Sequence, residues 1–219
     1  IGTIQPVAEI AAAARERGAL MHTDAVQTVG KIPVKVGDLG VDLLSLSAHK
    51  LYGPKGVGAL WVRRGARLAP FVTGGRQERS RRAGTENVPG IAGLGVAAAL
   101  ARQKMSAEAP RLVALRDRLG RGILASIAGA ERNRVGSPRA AKTGNVGIER
   151  VESESLLIGL DLEGIAVSSG SACSSGTLEP SHVLRAMGLP PHQTTNALRF
   201  SLGAATTEAE IDRVVALLA

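Results

Sequence analysis

A lysine at the end of one apolar stretch, an aspartate at the end of another and a single cysteine in a serine- and glycine-rich run are the residues best suited to chemistry. Asp24 closes Ala19-Leu20-Met21-His22-Thr23-Asp24, and Lys50 follows Val41-Asp42-Leu43-Leu44-Ser45-Leu46-Ser47 in Ala48-His49-Lys50. This set meets the needs of pyridoxal phosphate: an amine for the Schiff base, a carboxylate to keep the pyridine nitrogen protonated, and hydroxyls or backbone amides to hold a phosphate. Each residue also has a plainer use, Asp24 in a turn, His49 at a strand end and Lys50 as a solvated charge. Cys173 lies in Ser168-Ser169-Gly170-Ser171-Ala172-Cys173-Ser174-Ser175-Gly176. Its neighbours there are serine and glycine apart from Ala172, a composition that predicts a solvated, movable loop and either a reactive thiol or an inert loop cysteine.

The elements around these residues read as α/β. Pro6 opens a helix that runs to Gly18, and residues 19–24 form a short buried strand. Val41 to Ser47 is a second strand, which delivers Lys50 into Leu51-Tyr52-Gly53-Pro54-Lys55-Gly56, and Val57 to Val62 a third. In α/β architecture functional groups gather at the carboxyl ends of strands. Asn87 to Gln103 and Pro110 to Ile127 read as two helices, with a domain boundary near Lys104 to Pro110. Beyond it the pattern predicts a strand at Gly144 to Ile148, a helix at Ser153 to Glu163 and a strand at Ile165 to Ser168. A short helix from Pro180 to Gly188 and a strand at Asn196 to Leu202 follow, and Thr207-Glu208-Ala209-Glu210 is a capping-box start for the final helix.

Composition narrows the function classes. The chain has 219 residues, 44% hydrophobic and 21% charged, enough to bury a substantial core. A single cysteine excludes an internal disulfide, and without a Cys-x-x-Cys pair no zinc or dithiol centre is expected. No apolar run approaches the ~20 residues of a membrane span, and no leader pattern opens the sequence, so a cytoplasmic location is expected. The net charge of +8 includes Arg76, Arg79, Arg81 and Arg82, but only four Phe, Trp or Tyr residues occur. Nucleic-acid binding is therefore not expected. The start at Ile1, running at once into a helix, reads as the interior of a longer protein.

Four segments carry a resemblance to a known family. His22-Thr23-Asp24-Ala25-Val26-Gln27, Ser47-Ala48-His49-Lys50-Leu51-Tyr52-Gly53-Pro54-Lys55-Gly56, Arg82-Ala83-Gly84-Thr85 and Ser169-Gly170-Ser171-Ala172-Cys173 occur in the order found in cysteine desulfurases of the class-V aminotransferase family. The likeness runs through nearly the whole chain. The long cysteine loop, continued by Leu178-Glu179-Pro180-Ser181-His182-Val183-Leu184-Arg185, resembles the group that includes the housekeeping and nitrogen-fixation desulfurases.

The resemblance implies an α/β fold. Residues 1–104 would be the carboxyl-terminal part of the large cofactor-binding domain, with a mixed sheet and helices. Residues 105–219 would form a smaller α+β domain with the mobile cysteine loop. It further implies that Lys50 holds pyridoxal phosphate, Asp24 pairs with the pyridine nitrogen and Gln27 faces the phenolic oxygen. Ser47, Ala48 and His49 match positions around the cofactor phosphate and the proton-transfer path. Thr85 matches a threonine that reaches the phosphate bound by a neighbouring subunit, which implies a homodimer, and Arg199 matches the arginine that takes the substrate carboxylate.

By the same resemblance, L-cysteine loses its sulfur to the Cys173 thiolate, leaving alanine and a persulfide bound for an acceptor such as an iron–sulfur scaffold. Whether Cys173 also ligates an iron–sulfur cluster in transit stays open, and no other metal ligand is expected. Selenocysteine lyase, another class-V transaminase and a noncatalytic interaction module are the alternatives. The sequence departs from the family at Arg76, where a third glycine usually stands, and at Ala204, where an arginine commonly follows Ser-Leu-Gly. The family's amino-terminal half has no counterpart in the chain, so this segment alone is expected to bind cofactor poorly.

Overall fold

The computed structural model describes residues 1–133, 136–170 and 180–219. They form two compact units, one of Gln5–Ser106 and one of Ala107–Ala219 that also includes Ile1–Ile4.

The first unit is built on three strands. Helix α1 (Val7–Glu16) follows Pro6, and Gly18, with φ +67°, turns the chain into β1 (His22–Asp24). The short helix α2 (Val36–Leu39) precedes β2 (Leu43–Ser47), and β3 (Gly58–Val62) completes the sheet in the order β1-β2-β3. β1 runs parallel to β2 with Asp24 beside Ser45, whereas β3 is antiparallel to β2 with Gly58 beside Ser47. The sheet is therefore mixed. Side chains alternate between faces along a strand, so Leu44 and Leu46 point to the core that also holds Ala11, Ala25 and Val41. His22, Asp24, Ser45 and Ser47 share the opposite, polar face.

Residues 77–80 form α3 (Gln77–Ser80), with left-handed φ at Glu78 and Arg79. Then α4 (Val88–Ser126) continues for 39 residues with Pro110 inside it. Two helices were expected here. Proline removes one amide donor, and the affected acceptor four residues back is the Ser106 carbonyl. Both residues are exposed, so water can take that carbonyl, and the flanking run of alanine, leucine, glutamate and arginine favours helix on either side.

The second unit packs β4 (Ala130–Arg132), β5 (Thr143–Ile148) and β6 (Ala197–Ser201) into an antiparallel sheet in that order. Its core combines Leu115, Leu119 and Ile123 of α4 with Val146, Ile148, Leu198 and Phe200 of the sheet, Leu160 of α5 (Ser153–Leu162) and Ile211. Helices α6 (His182–Ala186) and α7 (Pro191–Thr195) precede β6. Ile211 belongs to α8 (Glu208–Leu218), whose expected capping box is present: Thr207 Oγ1 accepts from the Glu210 N–H, and Glu210 accepts from the Thr207 N–H.

Residues 165–168 do not form the expected strand. The Ile165 amide donates to the Leu160 carbonyl and helps close α5. Only Ser168 then pairs with β6, through both backbone groups of Arg199. Among the described residues, no helix is long and apolar enough to cross a membrane.

Candidate active site

Parallel pairing of β1 and β2 brings their carboxyl ends to one edge of the sheet, and the segments that follow carry most of the residues singled out from the sequence. Asp24 ends β1. Its Oδ1 accepts the Val26 N–H at 2.9 Å, an Asx turn that fixes the carboxylate and leaves Oδ2 unengaged among the described residues. Gln27 lies exposed in the turn that follows, where Thr28 and Val29 both donate backbone N–H groups to the Ala25 carbonyl.

Ser47 ends β2 and opens the single 3₁₀ turn Ala48–Leu51. That turn seats Lys50. The Ala48 side chain is fully buried and its N–H donates to the Val57 carbonyl, so Ala48 anchors the turn to the start of β3. The Gly53 N–H closes the other end on the Ala48 carbonyl at 2.9 Å. A Cβ on Gly53 would lie 3.0 Å from the Ala97 Cβ and 3.1 Å from the Ala48 carbonyl oxygen. Only glycine lets the turn and the alanine face of α4 approach this closely. Lys31 Nζ donates to the Lys50 carbonyl at 2.7 Å, and His22 Nε2 lies 3.1 Å from Ser45 Oγ. Neither contact was legible in the sequence, because both join residues far apart in the chain.

The amine and the carboxylate are not spent on each other. Among the described residues Lys50 Nζ and Asp24 form no ion pair, and the Ser47 hydroxyl has no hydrogen-bond partner. His49 is exposed in the same turn, and Thr85 is exposed in the segment before α4.

Arg199 belongs to the second unit. It stands beside Asn145 of β5 in the register of β6. Its Nε is buried with no hydrogen-bond partner, and burial lowers the pKa of the guanidinium from its usual value. A half-buried guanidinium with an unmet donor is suited to an anionic ligand. Cys173 lies outside the described residues.

Residues 1–214 match the model of the aminotransferase class-V family, whose members depend on pyridoxal phosphate. The chain is 56% identical over 214 residues to a cysteine desulfurase of Gluconacetobacter diazotrophicus, covering 98% of this chain and 54% of that protein. It is 50% identical over 218 residues to a protein named cysteine desulfurase IscS from Dictyoglomus turgidum, covering 100% of this chain and 55% of the relative. A solved structure described as a NifS-like protein superposes with a TM-score of 0.90 at 36% identity, covering 100% of this chain and 57% of the other. The chain thus spans about half the length of the relatives it matches. With its α/β fold, its mixed sheet and a family match over nearly its whole length, the chain belongs to the class-V aminotransferases.

Proposed function

We propose that the full-length protein carrying this chain is a cysteine desulfurase that takes sulfur from L-cysteine, releases L-alanine and leaves a persulfide on Cys173. The observation that carries the reading is the pair Asp24 and Lys50, delivered to the same sheet edge by parallel strands yet unpaired with each other. High identity to cysteine desulfurases supports it.

The donor set fits pyridoxal phosphate: among the described residues the lysine amine is free of ion pairs, the carboxylate is held through one oxygen and the serine hydroxyl is unpartnered. When bound, the cofactor supplies an electron sink that weakens bonds at the α and β carbons of an amino acid. Lys50 would hold it and, once displaced by substrate, act as the base at the α carbon. Asp24 would accept from the ring nitrogen, since its Oδ1 is already taken by Val26. Gln27 would face the phenolic oxygen, and Ser47 and His49 the phosphate and the proton path. Ala48 contributes by seating the turn.

Arg199 would grip the substrate carboxylate with its planar fork of donors. The Cys173 thiolate would then attack the substrate sulfur. An S–S bond forms as the C–S bond breaks, and the carbon takes a proton and leaves as alanine.

The same reading takes residues 1–104 as the carboxyl-terminal part of a large cofactor-binding domain and 105–219 as a smaller α+β domain. The change of compact unit between Ser106 and Ala107 supports this division, while Ile1–Ile4 pack with the second unit. We further assign a homodimer in which Thr85 reaches the phosphate held by the other subunit. A sulfur-acceptor protein such as an iron–sulfur scaffold and a cytoplasmic setting complete the assignment.

Adding pyridoxal phosphate to the full-length protein and recording its visible absorption tests the site. The band of lysine-bound cofactor is expected in the parent and absent in Lys50→Ala. A band that persists in Lys50→Ala removes that lysine from the role.

A further inference from the structure

Glu131 and Glu149 border a small, water-open recess whose wall also includes Asn133, Gly147, Gln193 and Asn196. Asn196 is only 5% exposed, yet its Oδ1 is buried without a hydrogen-bond partner. A Cβ on Gly147 would meet that oxygen at 3.2 Å and Asn133 Oδ1 at 3.9 Å. Both amide oxygens therefore lie over the bare backbone of β5, on the wall of the recess. Asn133 Nδ2 is committed to Asn145 Oδ1 at 2.6 Å, which leaves Asn133 Oδ1 as the available atom of its amide.

The two carboxylates are brought together by the sheet. Glu131 is the register partner of Gly147, and the Glu149 N–H donates to the Gly129 carbonyl at 3.1 Å. Gly147 and its partner Glu131 face one side of the sheet, and Glu149, in the turn just past β5, lines the same recess. Neither carboxylate makes an ion pair or hydrogen bond among the described residues, and no lysine or arginine lines the recess. Among the described residues these two neighbouring carboxylates have no cation beside them, in a chain whose net charge is +8.

A water molecule would satisfy Asn196 Oδ1 but would leave the carboxylate charge unanswered. A hard cation answers both, because its preferred ligands are carboxylate and amide oxygens together with water. We propose that Glu131, Glu149, Asn133 and Asn196 form a binding site for a hard divalent cation of the size of Ca²⁺. The inference concerns the second unit alone and does not depend on the desulfurase reading. An open recess with two carboxylates gives a weak site, with a dissociation constant of about 10⁻⁴–10⁻³ M. Mg²⁺ binds less tightly there, since it demands octahedral geometry and sheds water reluctantly.

Calorimetric titration of the full-length protein with CaCl₂ at constant ionic strength tests the proposal. One saturable Ca²⁺ site per chain is expected. E131Q/E149Q, with its fold checked by circular dichroism, should bind about tenfold more weakly or worse, because affinity follows ligand charge. Asn196→Asp adds a third carboxylate to the same wall and should tighten binding several-fold, which provides an independent reading should the double variant fold poorly. Absence of saturable uptake by the parent at about 10⁻² M overturns the site. Affinity unchanged in both variants does so as well.

Discussion

Asp24, the last residue of β1, stands beside Ser45 of β2, one alternation of the strand before Ser47 and the turn that carries Lys50. The carboxylate is thus placed by backbone pairing and trimmed by its hydrogen bond from Val26. Replacing Asp24 with Asn keeps the shape and removes the charge. Alanine production by the full-length protein is expected to fall by about 10²–10³ while cofactor content, read by absorbance, falls much less. Turnover near the parental rate would show that this carboxylate does not face the ring.

Gly53 is the point at which the lysine turn meets α4. In Gly53→Ala the new methyl must displace the Ala97 methyl or the Ala48 carbonyl, both within about 3.1 Å of its position. Overpacking of this kind costs about 1–3 kcal/mol, and here the strain falls on the turn that aims Lys50. Denaturant unfolding together with cofactor titration should show both properties reduced. A variant of parental stability and affinity means that the turn yields freely.

Asp42 is held from two sides: its Oδ2 accepts the Met21 N–H at 2.8 Å and its Oδ1 the Arg63 Nε–H at 2.6 Å. These contacts, the backbone bond foremost, lower its pKa below the usual aspartate value. A depressed folded-state pKa stabilises the fold at pH above the unfolded value, about 3.9, and that contribution is lost as pH falls through the folded value. Asp42→Asn should therefore destabilise the protein at pH 7, with the gap to the parent narrowing below about pH 4. Parallel stability curves across that range would assign the effect to packing instead.

Arg199 holds a buried, unmet Nε donor, so a lysine with its single ammonium cannot replace the fork. Arg199→Lys is expected to raise KM for L-cysteine about 10- to 100-fold, the worth of a hydrogen bond between charged groups, with kcat less affected. Unchanged KM would place substrate binding elsewhere.

The lysine turn was legible in the sequence because its signals are local: an apolar strand, then His49 and Lys50, then a turn with Gly53 and Pro54. The α8 capping box was legible for the same reason. The unbroken α4 was not, since Pro110 announces a break that exposure to water makes tolerable. The loss of a strand at residues 165–168 was hidden too, because it follows from the Ile165 amide being drawn to α5. Asn196, Glu131 and Glu149 stand up to 65 residues apart along the chain and line one recess only because β4, β5 and β6 pair, so sequence spacing carries no trace of it.

The most direct test of the desulfurase reading is cysteine turnover by the full-length protein with pyridoxal phosphate, comparing the parent with Cys173→Ser. The parent is expected to form alanine and a persulfide on Cys173, seen by mass spectrometry, and the variant to retain cofactor but lose both products. Alanine and sulfide released by Cys173→Ser at the parental rate would contradict the assignment of Cys173 as the sulfur-accepting nucleophile.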